Sequence, residues 1–74
     1  MRTYGFDVIL KDMSEITREQ ADALFEAGCD DGTPGSGDGI AWVHFDREAS
    51  SLEGAIGSAV CQVQAAGFAV LRVE

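Results

Sequence analysis

Two carboxylates stand side by side at Asp30 and Asp31, a glycine-rich run, GTPGSGDG, follows, and then comes the only histidine of the chain, His44. Adjacent acids before a glycine-rich loop could open a cation or phosphate site, so the spacing has to be tested. A calcium EF-hand loop wants acids at alternate positions, a central glycine and a glutamate at its twelfth position. Asp30, Asp31 and Asp38 miss that spacing. A phosphate loop ends in Gly-Lys-Ser/Thr and leads into a helix. This run has no lysine, leads into a strand pattern, and carries acids that repel phosphate. Cys29, Cys61 and His44 are too few and too scattered for a structural zinc site. The metal reading therefore shrinks to Asp30 and Asp31 as weak divalent-cation candidates, and no cofactor is expected.

His44 could act as a general base, with Asp7 orienting its ring from a neighbouring strand. The sequence fixes no nucleophile on the same face and no further acid or base beside it. One histidine on a strand is more often a hydrogen-bonded or interfacial residue, and no catalytic residue is assigned.

These side chains need elements to position them. In TYGFDVILK, residues 3–11, Tyr4, Phe6, Val8 and Leu10 alternate with Gly5, Asp7 and Ile9, the pattern of a strand with one apolar face. Thr17 with Gln20 forms a capping box, and Ala21, Leu24, Phe25 and Gly28 then fall on one face of a helix over about 18–27. Gly28 stands where a left-handed stop is expected. The stretch DGTPGS is a short, poor strand that Pro34 confines to an edge. Gly37-Asp38-Gly39 signals a hairpin turn. IAWVHFD follows as a strand, with Ala41, Val43 and Phe45 on one face and Ile40, Trp42 and His44 on the other. Ser50 and Glu53 suggest a second capping box, ahead of a helix with Leu52, Ile56, Ala59, Val60 and Val63 as its stripe and Gly67 as its stop. FAVLRVE closes as a strand in which Phe68, Val70 and Arg72 share a face.

The order β-α-β-β-α-β predicts one α+β domain over residues 1–74, a ferredoxin-like sandwich in which two helices cover one face of a four-stranded antiparallel sheet. The first and third strands should be central. The face without helices would then carry Ile9, Ile40, Trp42 and Val70, with Asp7, His44 and Arg72 as a polar rim. Such a cluster is seldom left in water and marks a contact surface.

Composition narrows the partners. Thirteen acids against five bases give the chain a net charge of −8. That opposes nucleic acid, whose affinity comes from lysine and arginine replacing counterions, and it opposes an anionic membrane surface. It fits a basic partner. No stretch approaches the ~18 apolar residues of a membrane span. MRTYGFDV lacks the form of a signal peptide, so a cytoplasmic setting is expected, with Cys29 and Cys61 reduced and buried.

The run from LFEAGCDD through FDREA, the following SL and AI, the AAG turn and the closing RVE resembles a family of small bacterial proteins, over about residues 20–74. In longer members of that family the segment stands as an N-terminal α+β module in front of a helix-turn-helix-type DNA-binding portion. The resemblance implies a module beside a DNA reader. The present chain ends at Glu74 without a recognition helix, as a stand-alone relative or a part of a longer protein, so no DNA-binding residue carries over.

The sequence thus predicts a non-enzymatic interaction module that forms a homodimer or docks a partner protein through the open face, with Trp42 as anchor. The alternative is a small-molecule sensor or enzyme of the dimeric α+β type, with a pocket lined by Trp42 and His44.

Overall fold

A computed structural model describes all residues from Met1 to Glu74. The elements run β1 Arg2–Leu10, α1 Arg18–Glu26, β2 Gly32–Gly37, β3 Ile40–Ala49, α2 Leu52–Ala65 and β4 Val70–Val73. The strands form one sheet in the order β2-β3-β1-β4, with every neighbouring pair antiparallel. This is the ferredoxin-like arrangement: α+β, with the long β1 and β3 in the middle and the proline-bearing β2 at an edge.

Alternation places Phe6, Val8 and Leu10 of β1 beside Ala41, Val43 and Phe45 of β3 under the helices. Phe6 and Phe45 are direct partners, and their rings stack with centroids 5.6 Å apart. α2 contributes Ala55, Ala59 and Val63 to this core, and α1 contributes Leu24. The small alanines let α2 sit close to the sheet.

Local chemistry explains most of the boundaries. Thr17 and Gln20 exchange the two reciprocal bonds of a capping box at the start of α1. Gly28 stops that helix at φ +106°, and Gly67 takes φ +98° after α2. In the β2–β3 hairpin Asp38 and Gly39 both have positive φ, 53° and 76°, as a type I′ turn requires.

Several expectations are corrected. α2 is capped one residue later than expected: the Ser51 hydroxyl accepts from the Gly54 amide. The helix buries Ala55, Ala59 and Val63 most deeply, with Ile56 and Val60 of the expected stripe partly buried beside them, and leaves Leu52 47% exposed. In α1 only Leu24 is buried, and Phe25 stands 65% exposed. Cys61 is exposed, whereas Cys29 is buried as expected. β3 runs to Ala49, because β1 begins at Arg2 and pairs with it there.

The correction that matters most for the site lies in β4. Val8 faces Val73 and Ile9 faces Arg72, but Leu10 faces Val70, so the register shifts and Leu71 bulges out. The extra residue turns Val70 over. It packs against the helix-covered core and does not belong to the open face.

Candidate functional site: the helix-free face of the sheet

With Val70 removed, the open face keeps Asp7 and Ile9 from β1, Ile40, Trp42 and His44 from β3, and Arg72 from β4. The register sets them in rows. Ile9 lies between Trp42 and Arg72, and His44 lies between Asp7 and Thr33. Ile9 is only 5% exposed although no helix covers it, because larger side chains flank it on both sides. Trp42 is half-buried and Ile40 is 38% exposed.

The glycines of β2 explain how Trp42 is held. Gly35 is its direct cross-strand partner, and a β-carbon there would stand 2.6 Å from the indole Nε1 and 2.7 Å from Cε2. Gly37 passes near the far edge of the same ring, where a β-carbon would be 3.6 Å from Cη2. The glycine run is thus more than a turn. It is a strand with a bare surface against which the tryptophan lies.

His44 sits between two carboxylates. Its Nδ1 donates to Asp7 Oδ1 at 2.6 Å, and its Nε2 is 3.4 Å from Asp46 Oδ1. The hydrogen bond to Asp7, helped by Asp46, raises the pKa of His44 above its ordinary value. Thr33 is the strand partner of His44 and the nearest candidate nucleophile by register, yet no hydrogen bond joins the two, and Nε2 faces Asp46 instead. A nucleophilic triad needs the base bonded to its nucleophile and free to take a proton. Here two acids favour the imidazolium. Asp46 was missing from the sequence reading, although its position two residues after His44 on one strand puts both on one face.

The acidic loop has a different task. Arg47 donates from Nε to Asp31 Oδ2 at 2.8 Å and from Nη2 to Oδ1 at 2.7 Å. It also donates to the Ser58 hydroxyl at 3.0 Å and the Gly28 carbonyl at 3.3 Å, with its guanidinium over the ring of Phe45. The arginine holds the Asp31 carboxyl below the usual range. Both oxygens of Asp31 are therefore engaged by a cation within the protein, which corrects its reading as a metal ligand; Asp30 stays exposed beside it. No group of three histidine, cysteine or acidic side chains is arranged to hold a metal ion. Burial pushes the Cys29 thiol up, away from reactive thiolate.

A cleft of about 260 Å³ lies on the other side of the sheet, between α1 and β2, lined by Leu24, Phe25, Cys29, Pro34 and Val43 among others. Neither Trp42 nor His44 lines it. No helix is long and apolar enough to cross a membrane. No protein-family model matches the chain, and no curated protein or solved structure is significantly similar to it.

Proposed function

We propose that this chain is a non-enzymatic interaction module that contacts a second protein, another copy or a different chain, through the helix-free face of its sheet. One observation carries the reading. Trp42 and the exposed Ile40 form an apolar patch beside the hairpin on a face that no helix covers. A flat ring set against bare strand backbone is ordered before contact, so little side-chain entropy is lost on docking. Buried aromatics supply much of the energy of such contacts. Both ring nitrogens of His44 face carboxylates and neither is bonded to a hydroxyl or thiol, which favours a binding role over a catalytic one.

A cytoplasmic setting fits the two free thiols. In the family the sequence resembles, the same contact would set the spacing of neighbouring DNA readers.

Site-specific photocrosslinking in the living cell tests the reading. A photoreactive residue replacing Ile40 is expected to give protein adducts. The same residue replacing Leu52, which is more exposed than Ile40 but stands on the helical side, should give few. Adducts from position 52 and none from position 40 would refute it.

A further inference from the structure

The helix-free face is charged in one direction. Asp46 and Glu48 continue the β3 row beyond His44, opposite Gly5 and Thr3. Asp7 stands beside His44, and Glu74 exchanges backbone hydrogen bonds with Asp7. Against these carboxylates stand the guanidinium of Arg72, whose Nε is already bound to Glu74 at 2.6 Å, and Lys11, which follows Ile9 in the alternation of β1 and lies at the hairpin end, away from Asp46 and Glu48. His44 adds at most one positive charge, and Asp7 and Asp46 flank it.

The charge is graded along the strand. Ile40 and Trp42 lie at the hairpin end of β3, and Asp46 and Glu48 lie toward its other end. Side chains on one face recur every second residue, so Trp42 and Glu48 are about 20 Å apart. An apolar anchor site therefore grades into a row of acids over the length of about six extended residues. A second copy of the chain would bring an identical carboxylate row and a net charge of −8 to this surface. A cationic segment would bring the complement, with the steering and register that opposite charges give.

We infer that the helix-free face receives a cationic protein segment with a bulky apolar residue at one end. The apolar residue seats against Trp42 and Ile40, and lysine or arginine side chains lie along Asp46, Glu48 and Asp7. The inference rests on the face being a contact surface, and it names the partner.

The emission of Trp42, the only tryptophan, is the readout. The probe is a short synthetic peptide that joins two leucines to a run of lysines, at low and at high salt. A saturable change that weakens about tenfold in the Asp46→Asn, Glu48→Gln double variant is expected, with a further loss on adding salt. Both side chains are exposed, so the fold should survive the changes. Replacing the leucines with serine should also weaken binding by about tenfold, since the anchor is lost. An unchanged affinity in the double variant, equal binding of a peptide with glutamate for lysine, or no response to the peptide would overturn the inference. If those failures came with Ile40 crosslinks intact, above all to a second copy of the chain, the contact-surface reading would stand and only its cationic partner would fall. Absence of Ile40 crosslinks would remove both.

Discussion

Trp42 rests on Gly35 so closely that position 35 has no room for a side chain: a β-carbon would stand 2.6 Å from the indole Nε1. Gly35→Ala must push the ring off β2 and expose Ile9 beside it. The expected cost is about 1–3 kcal/mol, in the range of overpacking, together with a red shift of tryptophan emission. Gly37→Ala meets the ring only at ordinary contact distance, 3.6 Å, and should change stability by less than about 0.5 kcal/mol. Chemical denaturation followed by tryptophan emission checks both. Equal effects at the two positions would show that Gly35 is needed only for its backbone.

Arg47 and Asp31 form a largely buried bidentate pair, with 10% and 30% of their side chains exposed. Arg47→Ala strands the carboxylate and the Gly28 carbonyl and should cost about 2–4 kcal/mol, somewhat less than a fully buried pair because Asp31 keeps some water. Arg47→Met, Asp31→Leu removes both charges and should recover much of that loss. The pair also sets an acid limit. The folded pKa of Asp31 lies below its unfolded value, so its contribution is complete above about pH 3.8 and is lost as the pH falls through the folded pKa. Asp31→Asn should flatten that part of the stability curve in urea melts.

His44 works in the opposite direction. Its folded pKa is raised, first by the hydrogen bond to Asp7 and then by Asp46. The stability it adds is fully present below its unfolded pKa, about 6.5, and is lost as the pH rises through the folded value. As the only histidine, it gives an isolated proton NMR titration. Asp7→Asn should lower its midpoint more than Asp46→Asn does. The reverse order would mean that Asp46 is its main partner in solution.

The strand pattern was legible in the sequence because a period of two survives in any context. Pro34 announced an edge, and Asp38-Gly39 announced a type I′ turn, both for local reasons. The bulge at Leu71 was not legible, because it depends on where α2 returns the chain to β1, and it misplaced Val70. Arg47 was half legible. It continues the core-facing alternation of Ala41, Val43 and Phe45, and a charge in that phase asks for a partner. The partner, Asp31, lies 16 residues earlier in the chain, and only the folded structure brings it near. Nor could sequence show that the β2 glycines shelter Trp42, since that follows from the register of β2 on β3. The Asp7–His44 contact was anticipated because both residues point to the open face of strands that pair directly.

α1 is joined to the core by Leu24 alone among its own residues, whereas α2 is fastened by Ala55, Ala59 and Val63. The two helices should therefore differ in kinetics more than they do in appearance. The α1 amides are expected to trade hydrogen for deuterium through a local opening that leaves β1, β3 and α2 in place, at a free energy well below that of global unfolding. A protease should make its first cuts between Lys11 and Asp30. Amide exchange as slow in α1 as in β3 would instead mean that the domain opens only as one cooperative unit.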